Sequence, residues 1–159
     1  MSALGKLAHA SWAERRALLR AAVLLIPVRT ALLTLPLRTV LRLAERAGAR
    51  GARPRPAGDS ASARSGAAGA DPHLRRMIWA VEIMGNRLFP KNPCLTQALV
   101  IQVLFRRAGR PAELRIGVRR ATDATPQAHA WVESEGAIVI GQSEALRGYV
   151  SLPPLPLDG

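Results

Sequence analysis

At 159 residues the chain is long enough for one domain with a real core and too short for two. Its single cysteine, Cys94, cannot form an internal disulfide, which excludes a stapled secreted scaffold and leads to the expectation of a reducing, cytoplasmic setting. The formal charge of +12 comes almost wholly from arginine, since Lys6 and Lys91 are the only lysines; without zinc-finger spacing, an aromatic-basic RNA motif or a helix-turn-helix signature, no nucleic-acid partner is expected.

The first residues are polar, with Lys6 and His9, and do not read as a secretory signal. From Ala17 to Leu43 the chain turns apolar, but Arg20, Arg29 and Arg38 interrupt it. No window there reaches the roughly 18 uncharged residues of a spanning helix. Leu18, Leu19, Val23, Ile26 and Leu33 recur near helical spacing, so residues 12–47 are predicted to be helical. Pro27 and Pro36 are each expected to start a new helical turn or kink the old one. This region could pack on the rest of the fold, or offer a basic amphipathic surface for peripheral contact with a membrane or a partner protein. Its apolar residues are too numerous for one exposed stripe, which favours packing.

Residues 51–70 are rich in Pro, Gly, Ser and Ala without apolar periodicity and read as a linker. The chain thus divides into a helical N-terminal region (1–50), this linker (51–70) and an organised core (71–159). In the core, Asp71-Pro72 caps a helix carrying Leu74, Ile78, Val81 and Met84. A second helix is predicted from Cys94 to Arg107, stopped by Gly109 as a left-handed cap, with Pro111 forcing the exit. Strands are predicted over 112–119, 128–132 and 137–140, the last two forming a hairpin about Gly136. Helix, helix, strand, strand, strand is an α+β order.

Cys94 stands in the first turn of its helix, where unpaired N–H groups and the helix dipole favour a thiolate. The same N–H groups could hold an oxyanion. A lone cysteine in an apolar helix is, on residue type alone, more often a small buried hydrophobe. His129 lies in Gln127-Ala128-His129-Ala130-Trp131-Val132-Glu133, a strand on which His129, Trp131 and Glu133 share a face. A lone strand histidine is usually structural, yet a cysteine at a helix start and a histidine on a later strand are what a thiolate–imidazolium pair requires. His9, His73 and His129 are far apart, and no phosphate-loop or dinucleotide fingerprint occurs, so neither metal nor cofactor is expected.

Taken together, Asn92-Pro93-Cys94-Leu95-Thr96-Gln97-Ala98-Leu99, the Arg106-Arg107-Ala108-Gly109-Arg110-Pro111-Ala112 turn, the Ile116-Gly117-Val118 strand and His129-Ala130-Trp131-Val132-Glu133 resemble the transglutaminase-like leader peptidases of lasso-peptide biosynthesis, the B or B2 proteins. The resemblance covers residues 74–142 and implies a papain/transglutaminase-like core, its nucleophile helix packed on a small antiparallel sheet. It further implies that Cys94 and His129 cut the leader from a ribosomally made precursor. A separate leader-binding protein (the RiPP recognition element) and an ATP-dependent lasso cyclase are the implied partners, and Trp131 is expected to bind substrate. That family carries an acid about a dozen residues after its histidine, where this chain has Gly141. Gln142 is taken as the third catalytic member, with Glu133, Glu135 and Glu144 as alternatives. A catalytically weak member acting as a peptide-binding scaffold, and an acyl-transferring enzyme resolved by an amine, use the same residues.

Overall fold

In the computed structural model the described residues are 11–50, 71–120, 125–142, 146 and 148–153. The predicted linker at 51–70 and the alternative orienter Glu144 lie outside them. Four helices precede a four-stranded sheet: α1 (Trp12–Thr34), α2 (Leu37–Ala49), α3 (Pro72–Leu88), α4 (Cys94–Arg107), β1 (Glu113–Arg120), β2 (Pro126–Ser134), β3 (Ala137–Ile140) and β4 (Val150–Ser151). The fold is α+β, as the residue pattern led one to expect.

Helix α1 begins at a capping box: the Glu14 N–H donates to the Ser11 hydroxyl, and the Ser11 N–H donates to the Glu14 carboxylate at 2.6 Å. Pro27 does not interrupt it. The residue lies within one continuous 23-residue helix and starts no new one, whereas Pro36 serves as the N-cap of α2. The missing N–H of Pro27 costs one intrahelical bond, a loss that the packing of Ala21, Leu25 and Val28 on the core outweighs. By length and composition α1 would suffice to cross a membrane, yet Ala17, Leu18, Ala21 and Leu25 are buried in the domain core.

Helix α3 starts as predicted, the Asp71 carboxylate accepting from the His73 and Leu74 N–H groups. Helix α4 ends in a Schellman turn: Gly109 at φ 71° donates to the Arg106 carbonyl and Arg110 donates to that of Phe105. The sheet is antiparallel in the order β3-β2-β1-β4, and Gly136 at φ 80° makes the β2–β3 turn. The two-residue β4 is the one strand that the residue pattern did not announce.

One core unites these layers. Leu25 of α1, Val81 of α3, Ile101 and Phe105 of α4 and Val132 of β2 are fully buried in the same cluster. The N-terminal helices therefore share a core with the sheet. Truncating a side chain such as Phe105 to alanine would cost on the order of 3–5 kcal/mol.

Candidate functional site

The approach to Cys94 is set by local backbone. Asn92 adopts φ 58°, a left-handed conformation asparagine tolerates, and Pro93 then caps α4 without offering a side-chain hydrogen bond. Cys94 is the first residue of the helix and is half-buried. One turn on, Gln97 is buried and its amide donates to the Glu82 carbonyl (3.2 Å) and the Asn86 side chain (3.1 Å), tying the start of α4 to α3. Gly85 makes this possible, because a Cβ there would collide with the Gln97 amide.

His129 is held by tertiary contacts. Its Nε2 lies 2.7 Å from the Gly141 carbonyl oxygen. A carbonyl only accepts, so Nε2 carries the proton and the lone pair of the neutral ring is on Nδ1, the nitrogen a general base needs. Among the described residues Nδ1 has no hydrogen-bond partner. Trp131 stacks beside the ring at 6.3 Å and Tyr149 packs on it at 5.6 Å. Glu133 receives the Trp131 indole N–H (2.9 Å) and pairs with Arg115, so it orients the tryptophan and not the histidine.

Two site residues predicted from the sequence take other places. Gln142 is exposed, and the orienting contact belongs instead to the backbone of its neighbour. The cause is steric: Gly141 sits at φ 84°, and a Cβ there would come within 2.7 Å of the Ala130 carbonyl and 2.9 Å of Trp131 Cβ. The chain passes so close to β2 that no side chain fits, and the carbonyl occupies the position where a carboxylate was expected. Trp131, expected to contact substrate, is only 6% exposed and packs against Gly117 and Gly141; it does not line the cleft.

Cys94 and His129 line one cleft of about 770 Å3, with Arg29, Asn92, Gln127 and Tyr149 among its other walls. No hydrogen bond joins the two. Ala130 and Val132 of β2 face the buried core, whereas the intervening His129 and Trp131 project to the other side. The structure thus brings both residues to a common cleft without a hydrogen bond between them, and in ligand-free enzymes such bonds are often not yet formed. Among the described residues no group of three or more His, Cys, Asp or Glu could hold a metal ion.

Tyr149 and Arg29 were not foreseen as cleft residues. Arg29 comes from α1, 65 positions before Cys94, and stacks on Phe89 at 5.5 Å. Nothing local marks it. Gly141 carried a readable signal, since an isolated glycine after a strand commonly marks a close backbone approach.

Residues 31–153, most of the chain, match the family described as the transglutaminase-like superfamily. The chain belongs to the transglutaminase-like superfamily. The match begins inside α1, so α2 lies within the matched region of this transglutaminase-like chain along with the sheet. No curated protein and no solved structure gives a significant match.

Proposed function

We propose that this transglutaminase-like domain is a cysteine peptidase that removes the leader from a ribosomally made lasso-peptide precursor, before a separate cyclase acts. The observation that carries the peptidase reading is the shared cleft. It holds a cysteine at an uncapped helix start and an imidazole whose Nε2 is fixed, leaving Nδ1 unbonded. The leader-specific part rests on the sequence motifs around both residues.

In this reading the Cys94 thiol gives its proton to His129 and the thiolate adds to the scissile carbonyl, forming a C–S bond while the carbonyl oxygen takes up the negative charge. The N–H of Cys94 faces that charge. The tetrahedral intermediate collapses by breaking the C–N bond, and the imidazolium returns its proton to the departing amine. Water, deprotonated by His129, then adds to the thioester carbonyl; the C–S bond breaks, the leader leaves as a carboxylic acid, and the imidazolium proton returns to the Cys94 sulfur. The leader and a separate leader-binding protein are the partners in this scheme.

The test is cleavage of the cognate precursor in the presence of its leader-binding protein, read by mass spectrometry. Wild type should release the leader and Cys94→Ala should not; unchanged cleavage by the variant sinks the proposal. A second reading, a peptide-binding scaffold without turnover, draws on the absent Cys94–His129 hydrogen bond and the neutral carbonyl in place of an acid. A peptide electrophile separates them: an activated Cys94 reacts far faster at neutral pH than a free thiol, and a scaffold cysteine does not.

A further inference from the structure

Helix α1 is apolar on two opposite sides. At about 100° per residue, Ala17, Ala21 and Leu25 face the core, while Trp12, Leu19, Val23, Ile26 and Leu33 fall on the other side within an arc of about 80°. Those five side chains are between 52% and 71% exposed. A helix that is hydrophobic all round belongs in apolar surroundings all round, and a contiguous exposed apolar strip marks a place where something docks.

The polar groups on this outward side are of two kinds. Thr30 and Thr34 return their hydroxyls to the helix, donating to the Ile26 carbonyl (3.0 Å) and the Thr30 carbonyl (2.9 Å), so neither needs water. Arg16 and Arg20 stand beside the strip near its start, both exposed and neither in an ion pair among the described residues. The Arg16 guanidinium lies 4.4 Å over the Trp12 ring. The one carboxylate of the helix, Glu14, is on the inner side and accepts from the Ser11 N–H at the cap.

These features select the occupant. A second copy would bring its own charge of +12 against the same arginines. A protein partner ordinarily supplies a polar rim that hydrogen-bonds across the interface, and beyond Arg20 the strip has no side-chain donor left to meet one. An anionic lipid surface answers both parts: headgroups for the arginines and the Trp12 ring, an acyl layer for the aliphatic strip. Segments 1–10 and 51–70 contain one acid between them, Asp59, so they do not supply that negative charge themselves.

We infer that α1 is an interfacial helix that lays its Trp12-to-Leu33 strip on an anionic membrane surface, with Arg16 and Arg20 at the headgroups. It lies along the surface and does not cross, because Ala17, Ala21 and Leu25 stay in the core. The inference concerns where the domain sits and does not rest on the peptidase reading.

The probes are vesicles of phosphatidylcholine alone, and of phosphatidylcholine with about a third phosphatidylglycerol. They are mixed with the full chain at about 0.1 M salt, and binding is read by co-sedimentation. The anionic vesicles should bind at least about tenfold tighter, and the advantage should shrink as salt rises. Arg16→Gln and Arg20→Gln should each weaken binding about fivefold. Val23→Gln with Ile26→Gln, at exposed sites where glutamine is the better helix former, should weaken it at least about tenfold without lowering the thermal midpoint. Cys94→Ala should sediment as wild type does. Equal binding to both vesicles, binding to neither, or binding that every α1 variant leaves unchanged overturns the inference. So does a wild-type dimer that the Val23→Gln, Ile26→Gln chain does not form, which would make a second copy the occupant. Tighter binding of a soluble Glu- and Leu-rich helical peptide than of the vesicles overturns it in favour of a protein partner. Vesicle binding that emerges only when residues 1–10 are removed would make the chain's own start the cover, and overturns it too.

Discussion

The two halves of the candidate site are built by different means. Cys94 is placed by its immediate neighbours: a left-handed Asn92, the Pro93 cap and a helix that starts on the cysteine. His129 is placed by residues far along the chain: the Gly141 carbonyl under Nε2, with Tyr149 and Trp131 packed around the ring. The first arrangement survives most distant substitutions, since it depends on a few consecutive residues. The second depends on β3 leaving the sheet in a single conformation that only glycine adopts without strain. Helix ends are local devices, whereas the orientation of an imidazole on a strand is a tertiary one.

The largest effects should come from the reacting groups themselves and should be equal on the two sides. Cys94→Ala and His129→Ala are each expected to lower leader cleavage at least about a thousandfold, and the double variant should be no worse than either, because the residues act as a unit. Cleavage rates from single-turnover assays decide this. Additive losses would mean that the two do not cooperate.

Next in size are substitutions at Gly141, which should harm the histidine side alone. Restoring the acid with Gly141→Asp should not help. The side chain would meet the Ala130 carbonyl and Trp131, and the backbone would have to hold φ 84° at a cost of about 1–3 kcal/mol. Activity should fall by about ten- to a hundredfold, with a lower thermal midpoint and with Cys94 still reactive toward a small alkylating agent. Gln142→Ala, by contrast, should stay within about twofold of wild type. A severe loss there would return the orienting role to the Gln142 amide.

Gly85→Ala is the matching perturbation on the cysteine side. It drives the Gln97 amide off the Glu82 carbonyl and the Asn86 side chain. Loss of two part-buried hydrogen bonds should cost about 1–3 kcal/mol in denaturant unfolding. Cleavage should fall less than for Gly141→Asp, since Pro93 and Asn92 still set the start of α4.

The same division explains what could be read from the sequence. Helix α3 was legible from Asp71-Pro72, the end of α4 from Gly109 and the β2–β3 hairpin from Gly136, because each signal acts within a turn. Cys94 and His129 were legible as candidates for the same reason, helped by the motifs around them. The orienting role of Gly141 was not: an isolated glycine could mark a close backbone approach, but the carbonyl that does the orienting leaves no mark on residue type. Trp131 misled in a related way: an aromatic beside a candidate base suggests a substrate wall, but with its ring edge over Gly117 and its Cβ beside Gly141 the side chain fills a space inside the protein. Pro27 did not end α1 because tertiary packing of that helix outweighs one lost hydrogen bond.

The smallest expected effect concerns two carboxylates away from the cleft, one in each layer of the helical half. Glu14 has its pKa lowered from 4.5 by hydrogen bonds from Ser11, first from its backbone and then from its side chain. Its ionised form is favoured by folding, so that contribution is present above 4.5 and is lost as pH falls through the lowered value. Glu82, on α3 beside the Gln97 anchor, has its pKa raised from 4.5 by burial. Folding favours its protonated form, so its contribution is complete below 4.5 and is lost as pH rises through the raised folded value. Much of the Glu82 side chain still meets solvent, which keeps the effect small. Glu82→Gln should therefore match wild type in thermal midpoint at acid pH and exceed it slightly near neutrality, whereas Glu14→Gln should fall below wild type near neutrality and approach it in acid. Melting curves of the three proteins across that range test both signs. A Glu82→Gln advantage that shrank as pH rose would mean that the carboxylate is stabilised in its ionised form by the helix ends that meet near Cys94.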